Sequence, residues 1–85
     1  MAKEPKPIGK ITHYFDKIKV AIVKFNKKVS VGETVRFRGM HTDFVQKIDS
    51  MQYEHESIKS AAKGKEVGIK VKKKVHETDK VYPDT

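Results

Sequence analysis

Apolar and polar residues alternate along much of this chain with a period of two. Val35 and Phe37 are interleaved with Arg36 and Arg38, and Val67, Ile69 and Val71 with Gly68, Lys70 and Lys72. Alternation of this kind places successive side chains on opposite faces of an extended segment, so it predicts half-buried β-strands. The same reading predicts strands over residues 8–15, 18–25, 29–31 and 34–38, then 67–72 and 80–82. Turn residues lie between them, at Asp16-Lys17, at 26–28, at Gly32-Glu33 and at Gly39.

Two stretches depart from the pattern. Within 42–53 the apolar residues Val45, Ile48 and Met51 fall at every third position, which a flat strand cannot bring to one face. A long strand carrying a bulge, bent around a small barrel, is the expectation there. Residues 57–63, with Ala61 and Ala62, predict one helical turn or a loop that Gly64 ends. In 18–25, Ile18, Val20 and Ile22 share one face, while Val23 and Phe25 take the other. That strand is therefore covered on both sides or bulged. Pro83 has no N–H to give a ladder and should end the last strand.

Composition supports the strands. Val and Ile together contribute 17 residues and Leu and Trp none, and branching at Cβ suits a pleated surface better than a helix. Many short strands with turns between them indicate an all-β barrel or sandwich, and closure would hide the sheet edges. Eighty-five residues allow one domain. The expected organisation is a basic, Pro-containing tail over 1–7, a β-barrel domain over 8–82 and a short tail over 83–85. The chain has no cysteine, its first seven residues hold no apolar run, and the longest such run is 20–23. A cytoplasmic protein with no signal peptide and no membrane span is the expectation.

The run Val29-Ser30-Val31-Gly32-Glu33-Thr34-Val35 resembles a turn found in the β-barrels of translation factors. Ile48-Asp49-Ser50-Met51-Gln52 is similar to the strand that follows it there. The stretch from Ala62 through Gly64 and Gly68 to Val71 resembles their closing turn and strand, and Asp79-Lys80-Val81-Tyr82 their exit segment, with Thr78 where Gly is usual. The four pieces come in the right order and span nearly the whole chain. The resemblance implies a small closed six-stranded, mostly antiparallel barrel like the second domain of elongation factor Tu and initiation factor two. Related barrels also serve as accessory modules of collagenase-like peptidases, a family that includes RNA-modifying enzymes. GTP hydrolysis does not carry over. Ala62-Lys63-Gly64-Lys65 lacks the first Gly and the hydroxyl of a phosphate loop, so no GTP is expected on this chain.

Charge then suggests where a partner would sit. The net charge is +8, and 17 of the 19 basic residues are Lys. Lysine neutralises phosphate as a point charge, without the planar fork of Arg. Lys63, Lys65, Lys70, Lys72, Lys73 and Lys74 crowd one stretch; Lys24, Lys27 and Lys28 crowd another; Arg36 and Arg38 share a strand face. These form either a phosphate-binding face or a solvated coat. Tyr14 is the aromatic expected to be exposed beside them for base stacking.

Catalysis has little support. His13, His41, His55 and His76 form no i, i+4 pair, no metal-ligand cluster is visible, and no nucleophile has an evident base. The chain is read as non-catalytic and without a cofactor. The leading expectation is a translation-associated module that binds ribosomal or other structured RNA through its lysine-rich face. The alternative is a protein-interaction subunit, or the accessory barrel of a collagenase-like peptidase or RNA-modifying enzyme.

Overall fold

The computed structural model describes residues 6–54 and 56–83. Most of the expected 1–7 tail, and all but Pro83 of the 83–85 tail, lie outside the described residues. The architecture is all-β. The strands are β1 (Gly9–Phe15), β2 (Val20–Phe25), β3 (Val29–Ser30), β4 (Thr34–Arg38), β5 (Asp43–Lys47), β6 (Met51–Tyr53), β7 (Glu56–Ser57), β8 (Ser60–Ala61), β9 (Glu66–Lys70) and β10 (Lys80–Pro83). Every ladder is antiparallel.

The closed six-stranded barrel is not what forms. Eight strands build one sheet in the order β5-β4-β10-β1-β2-β9-β6-β7, and β3 pairs with β8 separately. The large sheet is open, with β5 and β7 as its ends. The physical reason lies in β6, which meets β9 only at Met51 opposite Ile69 and Gln52 opposite Gly68. Beyond Ile69 this edge of β9 has no strand partner among the described residues. A side chain takes the place of a ladder there. The Gln46 amide donates to the Lys70 carbonyl at 2.9 Å, and its oxygen accepts from the Lys72 N–H at 2.9 Å. Gln46 is consequently buried although polar, as a satisfied group can be.

The one-turn helix considered for 57–63 is also absent. Ser57 ends β7 and Ser60-Ala61 pairs with Ser30-Val29, so that region is extended. The long bulged strand over 42–53 resolves into β5 and β6 around a corner. Ile48 holds the corner, its N–H donating to Glu33 O and its carbonyl accepting from Gly32 N–H, both at 2.9 Å. The every-third spacing reflects that corner. Gln46, Ile48 and Met51 face inward, while Val45 stays about half exposed.

The bulge itself falls in β1. Ile11 pairs with Val23 and His13 with Ile22, leaving Thr12 as the extra residue. Parity inverts across it. Ile11 is buried before the bulge, His13 points outward, and Tyr14 comes round to the core side, opposite Ala21. The core is built mainly from Val and Ile, with Met51, Ala21, Ala61 and two phenylalanines, Phe25 and Phe37, both fully buried. Each Val, Ile, Phe or Met side chain buried there contributes about 1.5–3 kcal/mol by leaving water. Val67, Ile69 and Val71 all lie in this core, as their alternation predicts.

Candidate functional site

Lys10 on β1 faces outward between two buried neighbours, Gly9 and Ile11. Register puts it directly opposite Lys80 on one side and Lys24 on the other. Lys80 in turn lies opposite Arg38, so four cations cross β4, β10, β1 and β2 side by side. Asp43 stands opposite Arg38 at one end, and Glu66 opposite Lys24 at the other. Adjacent strands are about 4.8 Å apart, so the four positions span about 14 Å. Like charges facing each other across a ladder destabilise it.

A groove of about 370 Å³ opens against this row, rimmed by Lys10, Lys24, Lys80 and Lys63. Gly9 forms part of its wall for steric reasons, since a Cβ there would lie 2.9 Å from a Phe25 ring carbon and 3.1 Å from Lys24 O. Lys63 is brought in by the loop before β9. The Gly64 N–H donates to Phe25 O at 2.8 Å, and Gly64 adopts φ of +84°, a conformation that favours glycine. On the other side Asn26 donates to Pro7 O at 3.1 Å and fixes the chain entering β1. Among the described residues, none of Lys10, Lys24, Lys63 and Lys80 is ion-paired.

The basic residues singled out by sequence are distributed by the fold rather than gathered. Lys24 and Lys63 share the groove. Lys27 and Lys28 lie exposed in the turn after β2, and Lys65 sits 4.8 Å over the Tyr53 ring. Lys70 closes β9, and Lys72, Lys73 and Lys74 follow it, with Lys73 over the Phe44 ring at 6.0 Å. The crowded stretch 63–74 is thus split by the length of β9, about 13 Å for four residue steps. Arg36 grips Asp43 with two hydrogen bonds of 2.7 and 2.9 Å, which hold the Asp43 carboxyl below its ordinary range. Tyr14 is not an open stacking platform. It is half-buried and packs on the core, and loss of water, with Asp16 nearby, raises its phenol pKa. The bulge at Thr12 is the cause. Lys10 and Lys80 were missed because each is a lone lysine in its own segment. Only register makes them neighbours.

The histidines of the described residues cluster at the opposite end of β1. His13 lies 3.4 Å from Glu77, and the His41 and His76 rings meet edge-on at 6.3 Å. His76 Nδ1 is 3.2 Å from the Thr42 hydroxyl and 3.7 Å from Asp79 Oδ2. A nucleophile–base–acid relay needs its partners on the two different ring nitrogens. Here both fall on Nδ1, so the three form a loop clamp, with Asp79 also accepting from the His76 N–H at 2.8 Å. No group of three potential metal ligands occurs among the described residues. His55 lies outside them. No helix among them is long and apolar enough to cross a membrane.

No protein-family model matches the chain. It is 33% identical over 76 residues to an uncharacterized protease of Methanocaldococcus jannaschii, and 31% identical over 77 residues to a collagenase of Porphyromonas gingivalis. Each match covers 88% of this chain but only 19% and 21% of those proteins. The chain spans about a fifth of the length of the curated relatives it matches. Among solved structures, its fold is similar to the C-terminal domain of a Geobacillus thermoleovorans protein named as a U32 peptidase. The TM-score is 0.87 at 20% identity over 100% of both chains. A selenomethionine variant of that domain gives 0.85 at 21% identity, covering 91% of this chain and 98% of that one.

These findings overturn the translation-factor resemblance, and with it the expected translation-associated, ribosome- or structured-RNA-binding role. The similar proteins are a protease, a collagenase and a peptidase domain, and they fit the accessory-module alternative better. The four motif pieces misled because two are glycine turns beside valine-rich strands, at Gly32 and Gly64, and the other two are short strand segments with no glycine. Any small, strongly coiled antiparallel sheet needs such turns, so they report curvature rather than ancestry.

Proposed function

We propose that this chain is a non-catalytic accessory domain of the kind found at the C-terminus of collagenase-like U32 peptidases, and that it binds rather than cuts. One observation carries the reading: the similarity covers almost all of this chain and only a fifth of each relative. A segment so confined, with the fold of a C-terminal domain that was solved separately, behaves as a module beside a larger body. The surface is consistent with a docking role, since it offers lysines around a groove that have no ion-pair partner among the described residues, whereas its histidine, threonine and aspartate are arranged as a loop clamp.

The test is a chimera. The matching region of the Porphyromonas gingivalis collagenase is deleted in one variant and replaced by this chain in another, and collagen cleavage is measured for both and for this chain alone. Restored cleavage in the chimera relative to the deletion, with none by the chain alone, is the expected result. Cleavage by the isolated chain, or a chimera no better than the deletion, refutes the proposal.

A further inference from the structure

We infer that the cation row Arg38, Lys80, Lys10 and Lys24, together with Lys63, is a docking groove for a short acidic segment of a partner protein. This goes beyond the accessory-domain reading, because it names a ligand chemistry and does not depend on which protein supplies the segment.

Three observations carry it. First, the four row positions are directly opposite one another on four adjacent strands, and among the described residues Lys80, Lys10, Lys24 and Lys63 have no ion-pair partner. A ladder of facing like charges is unfavourable by itself and is relieved by an anionic partner. Second, the row is finite. Glu66 closes one end and Asp43, already held by Arg36, the other, so the run of facing cations is about 14 Å, the length of about four extended residues. A long polyanion tracking the sheet would run onto the Glu66 carboxylate at one end and leave the row of cations at the other, whereas four or five residues rich in Asp and Glu fit its length. Third, the neighbouring aromatic rings are covered. Arg38 lies 6.0 Å over Tyr82, and Lys65 lies 4.8 Å over Tyr53. Single-stranded nucleic acid gains much of its affinity by stacking bases on open rings, and these rings are capped by cations. Carboxylates need only the ammonium groups. The groove beside the row, with Gly9 and Gly64 in its wall, leaves room for the segment's backbone.

The probe is a fluorescein-labelled peptide of six glutamates, with a six-glutamine peptide and a single-stranded RNA of equal charge as comparators. Binding is followed by anisotropy at low and at physiological salt. Lys10→Gln/Lys24→Gln/Lys80→Gln is compared with Lys27→Gln/Lys28→Gln/Lys47→Gln, which removes the same charge elsewhere. Three exposed pairs imply a loss of about threefold to a hundredfold for the row variant, and a smaller loss, under about threefold, for the control. Amide shifts of Lys10, Lys24 and Lys80 in the unaltered protein, on adding the acidic peptide, supply a readout that requires no variant to fold. Equal losses in the two variants, tighter binding of the RNA than of the peptide, or no binding at low salt would each overturn the assignment.

Discussion

Gln46 is the residue whose replacement tests the architecture most directly. Its amide bridges the end of β5 and the unpartnered edge of β9, making two hydrogen bonds of 2.9 Å while buried. In Gln46→Met the side-chain volume and burial are nearly kept, so the cavity contribution is small. What remains is the loss of these two short hydrogen bonds, each with a net worth of about 0.5–1.5 kcal/mol, and of a long, weak one of 3.4 Å to the Lys47 carbonyl, with the cost of leaving the Lys70 carbonyl and Lys72 N–H without partners in a partly buried seam. The sum is about 2–4 kcal/mol. For a domain of this size each kcal/mol lowers Tm by about 4–8 °C, so a fall of about 10–25 °C is expected. Urea unfolding monitored by far-UV circular dichroism measures the loss, and hydrogen exchange of the Lys72 amide locates it. Val45→Thr is the control, an exposed neighbour expected to change stability by no more than about 0.5 kcal/mol. If Gln46→Met costs as little as that control and the Lys72 amide exchanges no faster, the seam is held by something other than this side chain.

Two glycines separate steric from conformational demand. A Cβ on Gly39 would fall 1.8 Å from an Asp79 carboxylate oxygen, and Asp79 is buried and anchors the His76 N–H. Gly39→Ala should cost about 1–3 kcal/mol by overpacking and release the His76 amide in hydrogen exchange. Gly64→Ala meets nothing within 4 Å, so only its left-handed backbone objects, at about 1 kcal/mol, and the 61–65 loop should exchange faster while the His76 amide is unaffected. Asp43 tests the surface electrostatics. Because Arg36 depresses its pKa in the folded state, the pair's contribution is fully present above the ordinary carboxylate pKa and disappears as pH falls through the depressed value. In an NMR titration, Arg36→Gln should return the Asp43 midpoint toward 3.8. An unmoved midpoint would show that the hydrogen bonds to Arg36 are not its cause.

Local alternation determined a good deal about this protein. Period-two runs marked the strands around Val35 and Val67, and the abundance of Val and Ile over Leu pointed to an all-β chain. Burial of one face of a pleated strand depends only on the identity of alternate residues, and those are written in the sequence. What the sequence could not specify was which strand lies beside which, and by how many residues each is offset. That is decided by the collective packing of the core, and its consequences here are large. One extra residue at Thr12 inverts the faces of β1 and turns Tyr14 inward. A corner at Ile48 makes Gln46, not Val45, the inward side chain, and lets a glutamine amide stand where a strand would close a barrel. The lysine-rich stretch from Lys63 to Lys74, which reads as one patch, is divided between two ends of β9. Lys10 and Lys80, seventy residues apart, become neighbours in one row with Lys24 only through strand register. A charged groove assembled from single residues on separate strands leaves no local signature, because the distance that matters is the one across the sheet.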